Sequence, residues 1–233
     1  MRPAMSDYLA SLPLQHVCIT EPLRLGRAQL LRRSDAGTLI YEPHARLHLL
    51  AARDLSAAQA LFADVRHTDF VMLCSDSLAP LLDGFNLSHR MRCLQAVYTR
   101  PEPPALDSRL HITPPDDRQL EIMIANYHME SPEELRRRAG RGEIFFATDH
   151  QGRDVGFVGL HPEGCFGLLQ VLPEMRGRGY GAALEAFIIR FCLDHNRLPY
   201  CQVDVNNQAS LNLQKKLGLD LAPLPMLMAW NDF

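Results

Sequence analysis

The stretch "RGRGYG" at residues 176–181 constrains the fold more than any other part of this chain. Three of its residues are glycine, with an apolar run, "FGLLQVLP", before it and "AALEAFIIRF" after it. A glycine costs a helix ~1 kcal/mol relative to alanine. Grouping three at one junction implies that the main chain must be bare there. After the junction, Leu184, Phe187, Ile188, Phe191 and Cys192 recur at helical spacing, with Glu185, Arg190 and Asp194 off the stripe. A strand therefore enters the glycines and an amphipathic helix leaves them.

The other elements alternate between the two types. Before residue 99, "AQLLRR", "TLIYE", "RLHLLAA", "FVMLC" and "MRCLQAVYT" read as strands. "SAAQALFADV", with Ser56 as its cap, and "DSLAPLLDGF" read as helices. The proline-rich "TRPEPPALDSR" at 99–109 is a stiff extended connector. It predicts a division into a smaller α/β domain, 1–104, and a second domain, 105–233. Beyond it come a strand "LHIT", a helix from Asp117, and a helix opened by Ser131, Pro132 and Glu134 in a capping-box pattern. "EIFFATD", "DVGFVGLH" and "CFGLLQVL" are strands joined by tight turns, which predicts an antiparallel meander. "YCQVDV" is a further strand, "SLNLQKKLG" a short helix, and "PLPMLMAW" a strand or extended edge.

Composition narrows the classes. Hydrophobic residues make up 47% and charged residues 22%, enough for a packed core. The net charge of −3 gives no global reason to expect a nucleic-acid partner. No apolar run approaches the ~18 residues that span a bilayer, and "MRPAMSDYLASLPLQ" lacks a leader's apolar stretch. The expectation is a soluble cytoplasmic protein, monomer or homodimer, with no membrane partner. None of the six cysteines forms a C-x-x-C pair, so neither structural zinc nor a disulfide framework is expected, and no metal is called for.

Four readings of the glycines compete. A tight turn without ligand explains no more than one or two of them. A Walker phosphate loop needs Lys-Ser or Lys-Thr after its last glycine, which is missing here. "GRGYGA" fits the dinucleotide string G-x-G-x-x-G/A, but "LPEMR" separates it from the strand, and the preceding strands are not βαβ-connected. The fourth reading accounts for more. Arg176-x-x-Gly179-x-Gly181, the lead-in "VLPEMR" and the later "NNQASLNLQKKLGL" together resemble the GNAT superfamily of N-acetyltransferases, over about residues 110–230.

That resemblance implies an α/β GNAT fold: a mixed, mostly antiparallel sheet flanked by helices. The N-terminal part resembles a degenerate GNAT-like half that shapes an acceptor cleft. The implied co-substrate is acetyl-CoA and the implied acceptor a small-molecule amine. The pyrophosphate falls to Arg176, Gly177, Arg178, Gly179, Tyr180, Gly181 and Ala182, which open a helix whose first N–H groups lack intrahelical partners. Main chain at Leu169, Gln170 and Val171 is implied to pair with the pantetheine arm, beside a sheet that splays before "YCQVDV". Asn207 matches a cofactor-contacting asparagine. Gln214 stands where many relatives have a tyrosine that protonates the leaving thiolate. Gln214 and Glu163 are the catalytic candidates, and His161 is an alternative proton carrier. Asp204 and Gln202 can line the cleft or bond to a neighbour. Arg136, Arg137, Arg138 and Arg141 are helix surface or a wall for an acidic substrate. A longer acyl donor, or a non-catalytic acetyl-CoA sensor, remain open readings.

Overall fold

A computed structural model describes residues 7–231, so the ends of the N-terminal stretch and of the closing segment lie outside the described residues. The chain divides into two compact units.

Of the described residues, the first unit takes 7–99, 162–165 and 200–231. It opens with helices α1 (Asp7–Ser11) and α2 (Val17–Arg24). Three strands follow: β1 (Gln29–Ser34), β2 (Gly37–Glu42) and β3 (Leu47–Ala52). Then come α3 (Leu55–Phe62), β4 (Phe70–Leu73), a 3-10 segment (Asp76–Gly84) and β5 (His89–Val97). The second unit takes residues 100–161 and 166–199. It holds β6 (Leu110–Thr113), α4 (Asp117–Asn126), α5 (Pro132–Gly140), β7 (Ile144–Asp149), β8 (Asp154–Leu160), β9 (Phe166–Val171) and α6 (Tyr180–Asp194). The chain then supplies the first unit with β10 (Tyr200–Asp204), α7 (Gln208–Leu217), β11 (Asp220–Leu221) and β12 (Met226–Trp230).

The first unit's sheet runs β1-β2-β3-β4-β12-β5-β10, with β11 also on β5. Only β3 and β4 pair in parallel. The second unit's sheet, β6-β7-β8-β9, is antiparallel throughout. This is the mixed, mostly antiparallel α/β architecture that the family resemblance implies.

One expectation needs correction. The compact units are not the contiguous stretches 1–104 and 105–233, because the last strands return to the first sheet. Of the two readings of "PLPMLMAW", the strand holds and the edge does not: β12 lies between β4 and β5, with Leu227 opposite both Leu73 and Arg92. β4 and β5 each present an unpaired edge that one apolar strand satisfies on both sides, and an unpaired buried edge is costly.

Three local readings also shift. The helices α1 and α2 escape a periodicity reading because Pro13 and Pro22 interrupt the pattern. Packing decides them: Val17, Cys18 and Ile19 join Ile40, Leu47 and Leu49 in one core. Asp54, not Ser56, caps α3 by accepting from Ala57 N–H. The segment at 76–84 is 3-10 rather than α, with Pro80 inside it, where a missing N–H weakens an α ladder.

In the second unit, β7 is buried on both faces, as its unbroken apolar run requires. Ile144 and Phe146 pack with Phe157 and Leu168 against Met123 of α4 and Leu135 of α5. Phe145 points the other way, its ring 5.1 Å from Phe187 and 4.7 Å from Phe191 of α6. Helices therefore cover both faces of this sheet. Of the α6 stripe, Leu184, Ile188 and Cys192 are buried and Phe187 and Phe191 partly so, while Glu185, off the stripe, is buried as well.

Candidate functional site

The site is built where β9 gives way to α6. β9 is the edge of its sheet, pairing only with β8. Its register slips between Phe157↔Gln170 and Gly159↔Gly167, so β9 holds one extra residue in a bulge. Leu168 there has φ 51°, a left-handed conformation rare for a side chain of its size. Its side chain is anchored in the core with Phe157 and Met123, which holds the bulge in place.

Beyond the bulge the ladder decides which way each amide points. Leu172 N–H donates to Val155 carbonyl at 2.9 Å. Antiparallel pairs alternate, so Val171, opposite Gly156, turns its N–H and carbonyl away from β8. The carbonyl is held by Arg176 Nε at 3.1 Å. Among the described residues nothing accepts from the Val171 N–H. Gln170 pairs with Phe157, so its main chain faces into the ladder. Of the three residues expected along the pantetheine arm, Val171 is thus the one with a clearly outward amide.

A 3-10 turn, Pro173–Met175, then leads into the glycines. Gly177 and Gly179 have φ of 76° and 82°, which any side chain would strain. A Cβ on Gly177 would meet nothing within 4 Å, and one on Gly179 only Arg109 Nη2, at 3.9 Å. The loop is open, so the glycines serve the backbone path and an approach from outside rather than internal packing. No side chain caps α6. Its first internal bond, Ala183 N–H to Gly179 carbonyl, is 3.3 Å long. Among the described residues no acceptor is found for the N–H groups of residues 177–182. The loop arginines are occupied with carbonyls: Arg176 with Val171, and Arg178 Nη2 with Glu174 at 3.1 Å. With no acceptor for these amides among the described residues, the loop can serve as an anion cradle at a helix start.

The remaining candidates stand elsewhere. Glu163, Asn207 and Gln214 belong to the first unit. Glu163 is buried in the turn between β8 and β9 and accepts from Cys165 Sγ at 3.1 Å. Gln214 is only 2% exposed, and its Oε1 accepts from Cys201 Sγ at 3.6 Å. Asn207 caps α7, its Oδ1 taking Ser210 N–H at 3.0 Å. Gln202 donates to Gln95 Oε1, the neighbour-bonding alternative. Asp204 accepts from Asn206 N–H.

The arginines of α5 are not a charged wall. Arg136 pairs with Glu121, Arg137 with Glu134, and buried Arg138 with Glu130 and the Leu160 carbonyl. His161 also reaches Glu130, at 3.4 Å. Burial pushes the Glu130 carboxyl up, but His161 and Arg138 outweigh this and hold it below the usual range. His161 is therefore tied to a structural ion pair. Sequence reasoning overlooked Arg109, which lies beside the loop at the end of the proline-rich connector. Nothing in its immediate sequence signals that position.

With this geometry in view, relatives can be compared. Residues 110–219 match the family described as Acetyltransferase (GNAT) family. They are a domain of that family, and the matched span runs through both compact units. A search of curated proteins found no match. Among solved structures, a Drosophila protein is similar at a TM-score of 0.62 and 15% identity, over 83% of this chain and 74% of that one. A GCN5-related N-acetyltransferase from Kribbella flavida is similar at 0.56 and 12%, over 99% and 97%. A GNAT-family acetyltransferase from Colwellia psychrerythraea is similar at 0.52 and 14%, over 97% and 94%. At these identities the likeness is one of fold.

Proposed function

We propose that the protein is an acetyl-CoA-dependent N-acetyltransferase acting on a primary amine of a small molecule or amino acid. One observation carries this reading: an uncapped helix start with two positive-φ glycines follows, after one 3-10 turn, on an edge strand whose Val171 N–H points outward. The amides of Gly177, Arg178, Gly179, Tyr180, Gly181 and Ala182 hold the pyrophosphate, aided by the helix dipole. Val171 N–H donates to the acyl carbonyl, where negative charge grows during transfer, and so acts as an oxyanion donor. Bound there, acetyl-CoA supplies an acyl group activated as a thioester. The chain's own contribution is orientation, which brings amine and acyl carbon together, and fixed donors that need no rearrangement.

A second reading, a non-catalytic acetyl-CoA sensor, is favoured by one specific observation. Glu163 and Gln214 both engage buried cysteines, which leaves neither catalytic candidate presented as an exposed acid or base. Two measurements decide. Acetyl-CoA at ~100 times its dissociation constant stabilises the chain by about 2.7 kcal/mol in thermal unfolding, and NAD does not. Free thiol is then released on addition of primary amines. Stabilisation without thiol release across a broad amine panel selects the sensor. Stabilisation by NAD alone removes both readings.

A further inference from the structure

Arg109 ends the proline-rich connector just before β6, and the second unit folds it over the glycine loop. Its guanidinium carbon is 5.2 Å from the centre of the Tyr180 ring, the first residue of α6. Asp107 grips one side of the guanidinium, with Nε to Oδ1 at 2.9 Å and Nη2 to Oδ2 at 2.5 Å. The same carboxylate accepts Arg109 N–H at 3.0 Å, which fixes the two residues as one rigid turn. The other edge of the fork, Nη1 and Nη2, faces the loop. Among the described residues its hydrogen-bond acceptor there is the Arg178 carbonyl, 3.5 Å from each nitrogen, at the outer limit of a hydrogen bond. A guanidinium has two bidentate edges. Here one is fully used for positioning, and the other is aimed at the anion cradle and barely held.

We infer that Arg109 is a phosphate-binding residue of this site: its Nη1/Nη2 edge takes two oxygens of the cofactor pyrophosphate, and Asp107 positions it. This rests on the acetyl-CoA reading above and extends it to a residue outside the glycine motif. Planar forks suit phosphate oxygens, and such charge-assisted bonds are among the stronger ones. The Asp107 carboxyl, held below its usual range first by its hydrogen bond to Arg109, stays ionised and keeps its grip at neutral pH. The connector therefore does more than separate segments: its rigid end carries a cation to the loop.

The test is calorimetric titration of the full chain with CoA, dephospho-CoA and pantetheine, for wild type, Arg109→Gln and Arg109→Lys. Arg109 has a half-exposed side chain, so the unliganded variants are expected to melt as wild type does. Arg109→Gln weakens CoA and dephospho-CoA alike, by roughly ten- to a hundredfold, the range of a lost charged hydrogen-bond pair. Pantetheine, which lacks the pyrophosphate, binds unchanged. Arg109→Lys, a point charge without the fork, recovers only part of the loss. Unchanged CoA affinity in Arg109→Gln overturns the inference, as does an equal loss for pantetheine. Loss confined to CoA moves the contact to the 3′-phosphate and overturns the pyrophosphate assignment. Full recovery with Lys overturns the fork. If wild type binds no CoA, the underlying acetyl-CoA reading has failed instead.

Discussion

The two helices that follow the family's two sequence motifs begin in opposite ways. At α7, Asn207 turns its side chain onto the Ser210 N–H, so the helix satisfies itself. At α4, Asp116 and Gln119 exchange bonds in a full capping box. At α6 there is no cap: Gly179 stands in the N-cap position at φ 82° and offers only backbone. Glycine in place of a side-chain cap costs a helix roughly a few tenths of a kcal/mol, and its conformational freedom adds an entropy cost. Side chains cap α3, α4, α5 and α7, whereas α2 and α6 have no such cap, and of these two only α6 places a positive-φ glycine in the N-cap position. The pyrophosphate of the proposed co-substrate would restore what the missing cap would have supplied.

The largest test of this contrast removes residues 1–105. That deletion takes away β5, on which β10, β11 and β12 all pair, but leaves the β6-β7-β8-β9 ladder that positions α6. We expect residues 106–233 to be insoluble when expressed alone, because two apolar strands lose their partners. A soluble fragment that binds acetyl-CoA would show the second unit to be self-sufficient.

Next in size is Gly179→Val. A β-branched residue at φ 82° stores ~1–3 kcal/mol of strain. The branch also stands in the open approach to the loop. Acetyl-CoA affinity is expected to fall by about a hundredfold or more, ~3 kcal/mol or above. The melting temperature of the unliganded variant should drop by no more than about 10 °C. Tight binding by this variant would break the cradle assignment.

Asn207→Ala is expected to act on stability. Loss of the cap costs ~1 kcal/mol, a fall of ~2–4 °C in melting temperature for a chain of this size. Asn207→Ser, which caps as well, restores it. A tenfold fall in acetyl-CoA affinity for Asn207→Ser, with melting unchanged, would instead add Asn207 to the binding residues and narrow the contrast between the two helix starts.

Gln214→Leu should have the smallest effect. The swap is close in volume and the site is buried, so stability changes by less than ~1.5 kcal/mol. Thiol release, if present, falls by less than the ~100-fold of a lost general acid. A drop of several orders of magnitude, with acetyl-CoA affinity intact, would restore Gln214 as an acid.

Much of this was legible without coordinates, because it depends on neighbours in sequence. The strand-glycine-helix junction needs only local φ preferences and a 3.6-residue stripe. The meander of β7, β8 and β9 follows from short turns between apolar runs. Ser131 caps α5 as its position requires, although Glu134 turns to Arg137 instead of closing the box.

What the tertiary structure alone decided concerns residues far apart in the chain. Nothing near Met226 says that β12 will fill the gap between β4 and β5. Such pairing satisfies two buried edges at once, and those edges exist only after the sheet has formed. Gln214 and Glu163 carry chemistry by residue type, yet folding sets each beside a buried thiol. Arg109 has the reverse history. In sequence it is one more charge after a run of prolines; in the fold, the grip of Asp107 and the return of α6 set its guanidinium over the loop. Sequence patterns report what a segment prefers by itself, whereas burial and charge pairing depend on which distant segment arrives beside it.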